Sequence, residues 1–214
     1  MTGPTAKGEA TRQEFLAAAT ELFAQRGYAS TRMDDVIRAT GLTRGAIYFH
    51  FRSKRNLALA IVEEHKLRWL SLASEEAARH DRPTDQLHAL GELLVTLASR
   101  GGAGWNVVRL AEQIRAVEPA ADEPPPSSPK PTPEAQQGCR PLLDWVELVA
   151  GIIESGHERG EFVPSLVASD SAVIMVSAFD GLKSASDALV PGDMGLFRQR
   201  AEALLAMFEA RLAA

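Results

Sequence analysis

Residues 43–54, TRGAIYFHFRSK, gather groups that can hydrogen-bond to a polyanion and to the edges of flat aromatic bases. The Arg44 guanidinium is a forked donor matched to guanine O6 and N7. Gly45 and Ala46 carry almost no side chain, so a helix bearing them can bring its backbone close to a groove. Thr43 can cap that helix through its hydroxyl and still reach a phosphate. Tyr48 and His50 can bond to phosphates or lie against thymine methyls, and Lys54 offers a charge to the flanking backbone. Taken singly, each has an ordinary use as a cap, a half-buried aromatic, a core or surface histidine, or a solvated cation. The ordered set is what points to nucleic acid. Phe49 can serve either purpose, and Phe51 reads as core.

Such groups need a scaffold, and the flanking sequence supplies one. From Thr11 to Arg26, Phe15, Ala18, Ala19, Leu22 and Phe23 recur at the spacing of one helix face, and Gly27 is a stop signal. Thr31 precedes Met33 and Asp34 in a T-x-x-D arrangement whose hydroxyl can cap a short second helix with Met33, Val36 and Ile37 inward. That helix ends at Gly41, and a third, Arg44 to Phe49, follows a turn of about four residues. A short helix, a turn and a second short helix, braced by an amphipathic helix, have the geometry of a helix-turn-helix reader.

The remainder also has helical periodicity, and no region alternates in the manner of a strand, so the expected class is all-α. A fourth helix from Ser53 to about Arg79 would extend about 40 Å, long enough to link two domains. Further helices are expected over Thr84 to Ser99, Trp105 to Val117, Leu142 to Arg159, Ala168 to Leu189 and Gly195 to Leu212. Eight of the twelve prolines lie between Pro119 and Pro141, which predicts a mobile surface loop over 118–141. The expected division is a DNA-binding domain over 1–58 and a second helical domain over 59–214.

Net charge is −5, but residues 1–60 carry nine Lys and Arg against five Asp and Glu, leaving −9 on the rest. This suggests a basic end for a polyanion and an acidic body with another task. Cys139 is the single cysteine, so an internal disulfide and a CxxC metal pair are excluded, and no metal or cofactor is expected. No apolar run approaches the roughly 18 residues of a membrane span, and MTGPTAKGEATRQEF lacks a signal-peptide core, so a cytoplasmic protein is expected. An enzyme would need convergent catalytic groups. HExxH, GxSxG, GxGxxG and Walker loops are missing, and His50, His65, His80, His88 and His157 are scattered, so no catalytic residue is assigned. A helical protein-interaction scaffold is a further alternative, but it leaves residues 31–54 without a purpose.

Over residues 11–58 the chain resembles the N-terminal domain of the TetR family of transcriptional repressors. The family pattern AAxxLFAxxGYxxTxxxxIAxxAGxxxGxxYxHFxSKxxL is met by AAATELFAQRGYASTRMDDVIRATGLTRGAIYFHFRSKRNL. The resemblance implies DNA contacts at Thr31, Thr43, Arg44, Gly45, Ala46, Tyr48, Phe49, His50 and Lys54, and an all-helical ligand-binding and dimerisation domain over 59–214. It departs from the family where an acidic residue often follows the lysine: Arg55 and Asn56 stand there, giving a more basic start to the fourth helix and a weaker capping box from Ser53.

YFHFRSKRNLALAIVEEHKLRW, Val107-Val108 and LLDWVEL are similar to the γ-butyrolactone and furan autoregulator receptors of antibiotic-producing actinobacteria. That implies a repressor that leaves its operator when a small diffusible signal binds the C-terminal domain. A TetR-type repressor answering an antibiotic or other lipophilic compound is the alternative. Ligand-binding positions implied by the resemblance are His65, Lys66, Trp69, Arg115, Leu142 and Trp145. If Lys66 and Arg115 both face inward, an anionic or carbonyl-rich ligand is expected.

The last two helices carry Val173, Val176, Ala178, Phe179 and Leu182, and Leu204, Leu205, Phe208 and Leu212, which predicts a four-helix homodimer interface. Ser177, Gly181, Ser184 and Ala185 would allow close helix approach; an ordinary intramolecular packing face is the alternative. A two-fold dimer would read a palindromic double-stranded operator in successive major grooves.

Overall fold

The structure, a computed structural model, describes residues 6–99, 103–116 and 142–213. The proline-rich stretch 118–141, with Cys139, lies outside the described residues. Among those residues the chain is all-α, with nine helices: α1 (Ala6–Arg26), α2 (Met33–Thr40), α3 (Arg44–His50), α4 (Lys54–Ala77), α5 (Pro83–Ser99), α6 (Ala103–Ala116), α7 (Leu143–Glu158), α8 (Ala168–Leu189) and α9 (Met194–Leu212). Phe162 and Ala213 pair only as an isolated bridge. No described helix is long and apolar enough to cross a membrane.

The described residues fall into two compact units, one of 6–66 with 103–116 and one of 67–99 with 142–213. The first differs from a cut after residue 58 because it includes α6: Val107, Leu110, Ala111 and Ile114 are buried in the same core as Phe15, Val36, Ile47, Phe51, Leu57 and Ile61. Phe15 meets Phe51 edge to face, with ring centroids 6.5 Å apart. α1 starts at Ala6, earlier than its apolar stripe predicts, because polar contacts extend it. Glu9 accepts from Gln13 Nε2 at 3.1 Å, and Arg12 and Gln13 both reach Glu64 on α4, at 3.4 and 3.2 Å.

The two short helices have defined ends. The N–H of Arg32, the residue preceding α2, donates to Asp35 Oδ2 at 2.8 Å. At the other end Gly41 takes a left-handed conformation (φ 68°), and its N–H bonds to the Ile37 carbonyl at 3.0 Å. Thr43 caps α3 by accepting from the Ala46 N–H at 3.2 Å, as its sequence position predicts. Ser53 accepts from the Asn56 N–H at 3.1 Å, so α4 also begins on a side-chain cap.

In the second unit α7 packs on α5 and α8, and α9 on α5 and α8. Gly91 allows the close approach of α5 and α9: a Cβ there would lie 2.6 Å from Leu205 Cδ2. The apolar residues assigned above to a dimer interface are mostly used within this unit. Val176, Phe179, Leu205 and Leu212 are buried, and Ala178, Leu182, Leu204 and Phe208 are half-buried. Val173 stays exposed, together with the small residues Ser177, Gly181, Ser184 and Ala185. A buried cation, which the sequence reading did not anticipate, sits on α8: Lys183 Nζ lies 2.5 Å from Asp187 Oδ1 and 5.7 Å from the centre of the Phe197 ring.

Candidate nucleic-acid interface

α3 is seven residues long and buries Ile47 completely, which turns the rest of the helix outward. Arg44 leads the exposed side, its side chain 70% accessible, with Nη2 3.7 Å from Asp34 Oδ1 and the guanidinium 5.7 Å from the centre of the Tyr48 ring. An ion pair this exposed contributes little, so Arg44 can exchange Asp34 for another acceptor at small cost. Thr43 and Gly45 are exposed and Ala46 half-exposed; a Cβ on Gly45 would meet nothing within 4 Å. Tyr48 is 40% exposed and Phe49 84%. Both rings are therefore within reach of a partner molecule that approaches this side of α3. His50 is half-buried against Phe15 and Phe51, with centroids 6.3 and 6.2 Å away, so its ring closes the core as well as facing out. The structure thus brings Thr43, Arg44, Gly45, Ala46, Tyr48, Phe49 and His50 together on one helix.

Two residues of the expected DNA-binding set are used differently. Thr31 is 0% exposed, and its hydroxyl donates to the carbonyls of Gly27 at 2.9 Å and Leu22 at 3.4 Å. It closes the end of α1 and does not cap α2, because its side chain turns back toward the Gly27 and Leu22 carbonyls. Lys54 Nζ donates to the Tyr28 and Ala29 carbonyls, at 3.0 and 3.3 Å, and lies 4.4 Å from the centre of the Tyr28 ring. Its ammonium braces the α1–α2 turn. Arg55, beside it, donates to the Ile114 carbonyl in the last turn of α6 at 3.2 Å. Gln113, which the sequence reading passed over, accepts from the Tyr28 N–H at 2.9 Å.

Asp35 is the local electrostatic feature of this surface. Its carboxyl lies below the usual aspartate range, chiefly because the Arg32 N–H bonds to it, and the Arg38 side chain adds a second donor and a charge. Placed in the first turn of α2, it also suits the positive end of that helix.

The six expected ligand residues divide between the two units. His65, Lys66 and Arg115 belong to the first unit, and Trp69, Leu142 and Trp145 to the second. Lys66 pairs with Glu63 at 3.4 Å, and Arg115 is exposed on α6. Trp145, 2% exposed, lines a small cavity of the second unit with Leu87, Leu90, Val149, Met175, Phe179 and Leu205, among others; His65, Lys66, Trp69, Arg115 and Leu142 are not part of that lining. The cavity measures about 10 Å3, room for roughly one water-sized sphere, and its walls are mostly apolar. An inward pair of cations at Lys66 and Arg115, and with it the anionic ligand, finds no counterpart in that lining. Among the described residues no group of His, Cys, Asp and Glu could hold a metal.

Residues 15–61 match the family described as "Bacterial regulatory proteins, tetR family". The A-factor receptor protein of Streptomyces griseus is 27% identical over 183 residues, 86% of this chain and 57% of that protein. The HTH-type transcriptional regulator AcrR of Shigella flexneri is 38% identical over 89 residues, 42% of this chain and 40% of that protein. The chain therefore spans about half the length of these two curated relatives. A solved structure, described as "Molecular basis for control of antibiotic production by a bacterial hormones", superposes with a TM-score of 0.76 at 28% identity, covering 96% of this chain and 98% of that one. These relatives are regulators and a receptor, not enzymes. With its helix-turn-helix built as that family's pattern requires, the segment 15–61 is a domain of the tetR family of bacterial regulatory proteins.

Proposed function

We propose that the protein is a ligand-responsive, DNA-binding transcriptional repressor. The observation that carries this reading is the outward side of α3, where Arg44, Gly45, Tyr48 and Phe49 stand exposed around a buried Ile47. Arg44 supplies the forked donor for a base edge, Gly45 permits backbone approach, and Thr43, Tyr48 and His50 bond to the phosphates on either side. Phe49 lies against base methyls or sugars. Two copies pair through the exposed small face of α8, with Val173, Ser177, Gly181, Ser184 and Ala185, and together read a palindromic operator.

In this reading the inducer is a small diffusible signal of the γ-butyrolactone, butenolide or furan type, seated against Trp145 in the second unit. Support comes from the likeness to a receptor protein and from a lining that suits a neutral lipophilic molecule. The same lining favours a second reading, in which the inducer is an antibiotic or other lipophilic compound. A gel shift with genomic fragments upstream of the protein's own gene tests the repressor reading. A retarded fragment, released by a neutral lactone or furan, is the expected result. Release by unrelated lipophiles alone selects the second reading, and failure to retard any fragment overturns both.

A further inference from the structure

We infer that Gln113 and Arg55 are positioning residues for operator binding: through them the last turn of α6 holds the α1–α2 turn and the start of α4, and so sets where α3 is displayed. The inference rests on the DNA-binding reading above. α1 ends on Gly27 in a left-handed conformation (φ 79°), and the N–H that follows such a glycine commonly returns to the helix it has just left. Here the Tyr28 N–H donates to Gln113 Oε1, 85 residues further along the chain. The carbonyls of Tyr28 and Ala29 accept from Lys54. Arg55, the next residue, donates to the Ile114 carbonyl at the end of α6, where carbonyls lack helix partners and the helix dipole favours a cation.

The three links close a circuit: from α6 through Gln113 to the turn, from the turn through Lys54 to α4, and from α4 through Arg55 back to α6. A seven-residue helix cannot hold its own position, and a binding constellation loses affinity when its support shifts by about 0.5 Å. Gln113 is exposed and borders a cavity of about 200 Å3 shared with Phe23, Gly27, Ile61 and Val107, so this link can open without repacking the core. Arg55 occupies the position where the sequence departs from the family pattern, and the structure turns its side chain to α6.

The test uses the full chain, a duplex that the wild type retards, and four variants. Gln113→Ala removes the acceptor and is expected to weaken operator binding about five- to tenfold and to speed exchange of the Tyr28 amide hydrogen. Gln113→Glu keeps an acceptor and is expected to restore both. Arg55→Met is expected to weaken binding while leaving the slope of affinity against salt unchanged, because no phosphate contact is lost, and Arg55→Lys to recover part of the affinity. Wild-type affinity in Gln113→Ala, a Gln113→Glu variant as weak as Gln113→Ala, or a salt slope reduced by about one in Arg55→Met would each overturn the proposal. If the wild type retards no fragment, the DNA-binding reading fails instead, whatever the Tyr28 amide does.

Discussion

The exposed side of α3 and the lining around Trp145 are opposite kinds of surface. The first is polar, aromatic and open, on a helix whose position is imposed by its neighbours. The second is apolar and closed around about 10 Å3, far below the 300 to 1,000 Å3 usual for a ligand pocket. A surface of the first kind is assembled before its partner arrives, so substitutions there should change binding and leave folding alone. A surface of the second kind is core until something enters it, so substitutions there should change folding first.

The sharpest way to break this contrast is at Trp145. Trp145→Ala is expected to lower the stability of the second unit by about 3 to 5 kcal/mol, the range for emptying a large buried aromatic, as read by denaturant unfolding. Folded variant should keep its operator affinity and lose its response to ligand. A midpoint equal to wild type would mean that Trp145 stands in an open site and the contrast is false.

On the other surface, Arg44→Ala should leave unfolding within about 0.5 kcal/mol of wild type and weaken the preferred operator by about 1 to 3 kcal/mol, with discrimination at one base pair relaxed. Anisotropy titrations against the operator and single-base variants measure both. Equal weakening on all sequences would place Arg44 on a phosphate.

Thr31→Val tests a residue that the family pattern assigns to one surface and the structure to neither. It should lower stability by about 1 kcal/mol, through loss of the hydroxyl bond to the Gly27 carbonyl, and leave the salt dependence of DNA binding as it was. A flatter salt dependence would return Thr31 to the phosphates.

The smallest effect concerns pH. Because the folded Asp35 carboxyl lies below its ordinary value of 3.8, it stabilises the fold above that value, and the contribution is lost as the pH falls through the lower folded value. The difference in thermal midpoint between wild type and Asp35→Asn should therefore shrink as the pH drops below about 4. A constant difference would show that the carboxylate charge has no role at the start of α2.

What could be read in advance follows from how local each signal is. Gly41, Thr43 and Ser53 mark helix ends through bonds to residues a few positions away, and those ends lie where the sequence places them. Thr31 was misassigned because a threonine before an acidic first turn has the same local pattern whether it caps forward or closes the helix behind it. The partners of Lys54, Arg55 and Gln113 are backbone atoms 26, 59 and 85 residues away, and an exposed glutamine on a helix gives no signal of such a bond. Trp145 is legible as an apolar residue, and it is buried. His65, Lys66 and Arg115 came from resemblance alone, and the lining of the Trp145 cavity includes none of them.

The mostly apolar lining at Trp145 has a calorimetric consequence. A molecule entering there would remove hydrocarbon from water on both partners, so its binding should carry a negative heat-capacity change, whatever the sign of the enthalpy at room temperature. By mass action the same molecule should raise the melting temperature in proportion to the energy it contributes, about 2.7 kcal/mol at a hundred times its dissociation constant. On the proposed function, candidate inducers can therefore be sought by heating the protein alone, with no DNA in the tube.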